Sequence, residues 1–354
     1  MVEWKKLGEV CTILRGNRVT KGELVDNGKF PVISGGVTPM GFIDSYNREP
    51  NTITVSQYGT AGYVDFQYSR FWANDICYCV YPEKSVDNKY LWYVLKSKQD
   101  LLYAIRNTDA TPYSLPVDTL KSILIPIPSL SEQTRIVGIL DTFTSAIDNL
   151  KEQIAQRRKQ YEYYRDQLLD LEGKEGVETK EVAYFVKDRI SANKLDTKNY
   201  TSVENLQKDK AGRKDAENVP TDGNWIKYQK GDILIGNIRP YLRKIWLSDR
   251  DGGTNGDVIV VRANDGISHE FLYYCLSSER FFLYYNQSLK DGKMPRGEKS
   301  RVLTYAIPSI SINEQQRIVS ILDTFEASIQ NLEAQLKQRE KQYEYYRNKL
   351  LTFE

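Results

Sequence analysis

EQTRIVGILDTFTSAIDNLKEQIAQRRKQYEYYRDQLLDLE, residues 132–172, returns as EQQRIVSILDTFEASIQNLEAQLKQREKQYEYYRNKLLTFE at 314–354. Laid over one another without a gap, the stretches agree at 26 of 41 positions, at a constant offset of 182. A repeat of this kind sets the architecture before other features are read. The chain reads as variable block, helix, variable block, helix: 1–131, 132–172, 173–311 and 312–354.

The repeat carries a heptad seam. Leu140, Phe143, Ile147, Leu150, Ile154, Arg157, Tyr161, Tyr164 and Leu168 alternate in steps of three and four, and Leu322, Phe325, Ile329, Leu332, Leu336, Arg339, Tyr343, Tyr346 and Leu350 repeat them. Beyond Gly138 neither copy contains Gly or Pro, and Glu, Gln, Lys and Arg fill the outward positions. Two helices of about 60 Å are predicted. Two equal seams in one chain predict an intramolecular coiled coil, antiparallel if the halves are related by a pseudo-twofold axis. Pro126, Pro128 and Pro308 precede the helices, and Ser131 before Glu132 is a plausible first-turn cap. An arginine at the same seam position in both copies is costly in a plain coiled coil unless water or a partner satisfies it. Arg157, Tyr161, Tyr164, Arg339, Tyr343 and Tyr346 are therefore the candidate partner-docking residues.

The variable blocks read as α+β. Short apolar or β-branched runs at 30–34, 52–56, 62–66 and 76–81 precede a helix at 89–98. Strands near 233–235 and 258–262 precede a helix at 269–282. Asn74-Asp75-Ile76 resembles Asn255-Gly256-Asp257-Val258, so the blocks share a skeleton while differing nearly everywhere else.

Composition excludes several classes. At 354 residues and 40% hydrophobic the chain can fill two cores. No run of about 18 apolar residues occurs and MVEWKKLGEV lacks a signal-peptide core, so a soluble cytoplasmic protein is expected, with no membrane partner. Cys11, Cys77, Cys79 and Cys275 lack CxxC spacing and read as buried free thiols. His269 is the only histidine, so a histidine-rich metal site is excluded and its helix-start position favours a capping or surface role. There is no GxxxxGK[ST] or strand-linked GxGxxG phosphate loop. Asn237-Ile238-Arg239-Pro240-Tyr241 mimics an Asn-Pro-Pro-Tyr methyltransferase motif only faintly, without a glycine-rich cofactor loop before it.

Nucleic-acid chemistry is better represented. Residues 1–131 hold 14 basic and 13 acidic side chains and residues 173–311 hold 23 and 19, so the cationic excess lies in the blocks. Asn237, Arg239, Tyr241, Arg243 and Lys244 follow a predicted strand, and Lys290, Lys293, Arg296, Lys299 and Arg301 lie in LKDGKMPRGEKSR. The first block offers Arg15, Asn17, Arg18 and Lys21, then Gln57, Tyr58 and Thr60, then Arg106 and Tyr113. Lys and Arg neutralise phosphates, while Arg, Asn and Gln read base edges bidentately. For any one of them the competing reading is a solvated loop. Many of the 25 tyrosines occupy seam or core positions where burial explains them, leaving Tyr58, Tyr113 and Tyr241 as better contact candidates.

The alternation of block and helix, the EQxRIVxILDTF opening, GDILIGNIRPYLRK at 231–244, KDGKMPRGEKSRV at 290–302 and FWANDICYCVYP at 71–82 together resemble the specificity subunit of type I restriction-modification systems. The resemblance covers essentially the full chain. It implies a non-catalytic adaptor whose two target recognition domains each read half of a bipartite, asymmetric double-stranded DNA site, held apart by the conserved helices. It also implies two docked methyltransferase (modification) subunits that use S-adenosylmethionine, and restriction/motor subunits that use ATP and Mg; this chain itself would hold no cofactor or metal. Recognition loops do not match residue by residue in that family, so the contacts above rest on residue chemistry. The rival readings are a coiled-coil scaffold joining two protein-binding domains and a nuclease, the latter opposed by the absence of a duplicated acidic constellation.

Overall fold

A computed structural model describes residues 2–109, 111–287, 289 and 293–353. The chain forms two compact units, one of residues 1–151 with 334–354 and the other of residues 152–333. Each unit contains one block, the first half of one long helix and the second half of the other.

In the first unit a four-stranded antiparallel sheet runs Cys11–Arg15, Cys77–Pro82, Thr52–Ser56, Val64–Gln67. Its register sets Ile13 and Ile53 on either side of Val80. All five residues of Thr52–Ser56 are buried, because helix Asn88–Ser97 packs into the same core and 31–39 line the other face. Asp87 starts that helix by accepting from Tyr90 N. A smaller mixed sheet joins Phe42–Ile43, Phe30–Ile33 and Trp72–Ala73, and Glu3–Lys6 pairs with Leu124–Ile127. Pro126 lies within that two-stranded pairing rather than ending it, opposite Trp4, and its carbonyl accepts from Tyr90 Oη at 2.9 Å.

The second unit repeats this plan. Its sheet runs Ala183–Phe185, Val258–Ala263, Ile233–Gly236, Ile245–Leu247, all antiparallel, with Ile233 opposite Val261. A second sheet of Arg189–Ser191, Asn224–Tyr228, Gly252–Thr254 and Tyr200–Thr201 has no four-stranded counterpart among the described residues of the first unit. The helix expected over 269–282 is broken into His269–Leu276 and Glu279–Asn286. Ser278 breaks it by capping the second piece, its hydroxyl accepting from Phe281 N at 3.1 Å.

The long helices span Leu130–Leu168 and Ile312–Leu351. Ser129, not Ser131, meets the first turn, its hydroxyl accepting from Glu132 N, and Ser311 does the same for Glu314 N. Inside each unit the helix halves pair antiparallel. In the second, Arg158, Tyr161 and Tyr164 meet Glu333, Glu326 and Phe325 in descending order. In the first, Phe143 stacks on Tyr346, with ring centroids 5.2 Å apart, and Leu140 shares a core with Leu350 and Leu351. Leu140 and Leu322 are fully buried, each worth roughly 1.5–3 kcal/mol of removed apolar surface. No described helix is long and apolar enough to cross a membrane, and all four cysteines are free and buried.

Candidate nucleic-acid interface

In the first unit three loops meet at one end of the four-stranded sheet. As Thr52–Ser56 ends, Gln57 N donates to Ile76 O (2.9 Å), Leu115 N donates to Gln57 O (2.8 Å), and Tyr58 forms a bridge with Ser114. Gly16 N and Asn17 N donate to Cys77 O and Ala73 O, bringing the 16–21 loop alongside. A Cβ on Gly16 would stand 2.0 Å from Ala73 O, so only glycine fits there. Asn74, buried, locks the arrangement: its Oδ1 accepts from Val19 N (3.1 Å) and Asp75 N (2.8 Å), and its Nδ2 donates to Val19 O (3.2 Å).

This rim carries Arg15, Asn17, Arg18 and Lys21, all exposed, with Tyr58 and Tyr113 also open to solvent. Thr60 is half-buried, its N–H held by Gly35 O. Arg106 lies 4.6 Å from the Tyr113 ring centroid and 5.3 Å from that of Tyr103, forming a stacked edge. Among the described residues no carboxylate stands within ion-pair distance of Arg15, Arg18, Lys21 or Arg106. Tyr78 underlies the rim, its hydroxyl donating to Leu115 O, and burial raises its pKa so that it stays a neutral donor.

The second unit builds the same junction from different side chains. Asn237 N donates to Asp257 O, Gly297 N donates to Asn237 O, and Ile238 bridges Arg296, matching Gln57, Leu115 and the Tyr58–Ser114 bridge bond for bond. The two segments singled out in sequence, 237–244 and 293–301, are thereby brought together. Arg239 has left-handed backbone (φ 51°), fixed by its N–H on Pro295 O at 2.8 Å, while its guanidinium approaches Lys293 O. Arg296 pairs with Asp257 at 3.0 Å and Lys299 Nζ donates to Gly256 O. Tyr241, Lys293 and Lys299 are exposed, and Arg301 stacks 4.0 Å over Tyr284. Lys290 lies outside the described residues.

Four expected contact residues already have partners within their own unit. Gln57 and Asn237 are buried at the strand ends, with Asn237 Oδ1 accepting from Tyr285 Oη, so their role here is to join loops. Arg243 is held by Asp209 (2.6 Å) and Glu279 (2.8 Å), hydrogen bonds that raise its pKa. Lys244 Nζ donates to Val203 O at 2.6 Å, and burial lowers its pKa. Sequence reasoning missed the Asn74 lock, which depends on Val19, 55 residues away.

On the helices, each seam arginine lies over an aromatic ring of its own unit. Arg157 lies 5.7 Å over the Phe325 ring, and Arg339 lies 5.8 Å over Phe143. Tyr164 stacks on Phe325 as Tyr346 stacks on Phe143, so the arginine and tyrosine contacts to the seam phenylalanine recur with the residue numbers moved by the repeat. Tyr161 donates to Glu326 at 2.8 Å, and Tyr343 packs against the first core. The outermost aromatics are Tyr163 and Tyr345, about three-fifths exposed and edge-on to Tyr164 and Tyr346, which sequence reasoning passed over. Beside Arg157 a cavity of 380 Å³ is lined by Ser320, Ile321, Thr324, Phe325 and Ser328. His269 does not cap its helix: Ser268 does, and His269 Nε2 lies 2.9 Å from Glu270.

The family model of the type I restriction modification DNA specificity domain matches residues 1–157 and again 172–340. The chain belongs to that family. It is similar to the type I restriction enzyme EcoR124I/EcoR124II specificity subunit of Escherichia coli, 27% identical over 99% of this chain and 94% of the relative. Its fold is similar to the crystal structure of the type I restriction-modification S subunit from M. genitalium, with TM-score 0.70 and 18% identity over 100% of this chain and 97% of the other. A second fold neighbour, TM-score 0.57 and 16% identity over 99% and 97%, comes from work on complex assembly of a type I system. The two family matches fall on the two halves that share the rim geometry.

Proposed function

We propose that the chain is the specificity subunit of a type I restriction-modification complex and reads a bipartite, asymmetric double-stranded DNA site, one half-site per unit, without catalysing a reaction itself. The observation that carries this is the duplicated rim: one backbone junction at the end of each unit's antiparallel four-stranded sheet, bearing Arg15, Asn17, Arg18, Lys21, Tyr58, Arg106 and Tyr113 in one unit and Arg239, Tyr241, Lys293, Arg296 and Lys299 in the other. A shared frame with unlike side chains is what reading two unlike sequences requires. Lys and Arg on the rims would neutralise phosphates, and Arg239 and Arg296 offer paired donors that suit guanine.

In this reading the matching helix surfaces receive two modification subunits, which use S-adenosylmethionine to methylate an adenine in each half-site. Restriction/motor subunits using ATP and Mg join the same complex in the cytoplasm. Membership in the specificity family and the neighbour solved in a study of complex assembly support it. The test is a gel-shift series with the methyltransferase present. Binding that discriminates the cognate bipartite site from scrambled DNA, and falls steeply with salt, is expected; binding indifferent to sequence would favour a scaffold joining protein-binding domains.

A further inference from the structure

The two helix surfaces are less alike than their sequences suggest, and the difference is one of charge. In the first unit Asp141 on the long helix accepts from Tyr93 Oη at 2.6 Å and from Lys89 Nζ at 2.7 Å. Lys89 thus neutralises Asp141 across two helices. The second unit reproduces the tyrosine bond, Tyr274 Oη to Asp323 at 2.6 Å, and the neighbouring glutamine bond, where Gln315 accepts from Ser268 N as Gln133 accepts from Asp87 N.

The lysine has no counterpart. The third residue of each capped helix, counting Asp87 and Ser268 as first, is Lys89 in one unit and Glu270 in the other. One turn beyond the aspartate, Thr144 is replaced by Glu326. Among the described residues no Lys or Arg lies within ion-pair distance of Asp323. Glu270 is met by His269 Nε2 and Ser268 Oγ, and Glu326 by the Tyr161 hydroxyl, with Lys210 at longer range. At the position of Lys89 the second unit has Glu270, on the wall of an open cavity of 720 Å³ lined also by His269, Gln316, Val319, Asp323 and Thr324. Burial, with Asp323 nearby, raises the pKa of Glu326. The side chain that answers this carboxylate is known from within the molecule, since the same aspartate one repeat earlier holds an ammonium group.

We infer that the second unit's cavity receives a lysine or arginine side chain of a modification subunit at Asp323, taking the place that Lys89 occupies in the first unit. The two docking surfaces are therefore unequal: one supplies its own cation and the other takes its cation from the partner. This rests on the reading of the chain as a specificity subunit. Because the second site needs a charge pair across the interface, its affinity falls more steeply with salt.

Native mass spectrometry and titration calorimetry of the full chain with purified modification subunit test this. The unsubstituted chain should bind two copies, one lost first as salt rises. Glu270→Lys, which installs the internal cation, and Asp323→Asn, which keeps an acceptor for Tyr274, should each weaken one site at least about tenfold and leave a complex with one modification subunit. Asp141→Asn should not weaken the salt-sensitive site. A melting curve like that of the unsubstituted chain shows that each variant is folded. Two copies bound by Glu270→Lys and Asp323→Asn, with unchanged affinity and salt dependence, would overturn the inference alone. Failure of the unsubstituted chain to bind any modification subunit would overturn the functional reading and the inference with it.

Discussion

The two units share a frame and differ in what the frame carries. The sheet order, the strand-end junction and the antiparallel helix halves correspond, down to Arg157 over Phe325 and Arg339 over Phe143. The rims do not correspond: where the first unit has Gly59 and Ser114, the second has Arg239 and Arg296. Backbone hydrogen bonds fix loop geometry without fixing side chains, so a duplicated fold can hold two recognition surfaces that diverge freely. The comparison can be strained most severely at the helices. Leu140→Ala and Leu322→Ala, each emptying a fully buried site, should each cost about 2–5 kcal/mol by denaturant unfolding. A large loss from one and little from the other would show that the repeats are not equivalent supports.

Next in size are the rims. Arg239→Ala or Arg296→Ala should remove about 1–3 kcal/mol of base discrimination in one half-site only, read as a relaxed position in competition binding. Relaxation of both half-sites by one substitution would break the assignment of one reader to each unit. Smaller effects are expected at the seam: Arg157→Met and Arg339→Met should each lose about 0.5–1 kcal/mol of cation–π attraction, and by similar amounts.

The smallest effect distinguishes Glu326 from Thr144. The folded state raises the carboxyl pKa of Glu326 above its ordinary 4.5, chiefly by burial. The folded chain thus holds that proton more tightly than the unfolded chain, and stability falls as pH rises through the window just above 4.5. Glu326→Gln should flatten that segment of the stability profile. An unchanged profile would show that Glu326 does not contribute to it.

Much of this was legible in sequence because periodicity and repetition are one-dimensional signals. The seam residues 140–168 and 322–350 announced both helices and their pairing, and the short apolar runs located six of the nineteen strands among the described residues, including the two central strands of each unit's antiparallel sheet. Features set by distant partners were not legible. Ser278 could break the helix expected over 269–282 because its hydroxyl takes Phe281 N, a choice a local pattern leaves open. Arg243 reads as a surface cation until the fold brings Asp209 and Glu279 to it, and Asn237 reads as a base reader until Tyr285 covers it. The same limit hid the Lys89–Asp141 pair, 52 residues apart, and its absence in the second unit.

In the proposed function each unit reads its own half of one DNA site. The most direct test is single-molecule sequencing of genomic DNA from cells expressing this chain with its methyltransferase, beside cells lacking the chain and cells carrying Arg239→Ala. The expected result is a bipartite motif with methyladenine in each half, absent without the chain, and in the variant a loosened second-unit half beside an unaltered first-unit half. A single undivided motif, or a variant that alters both halves together, would contradict it.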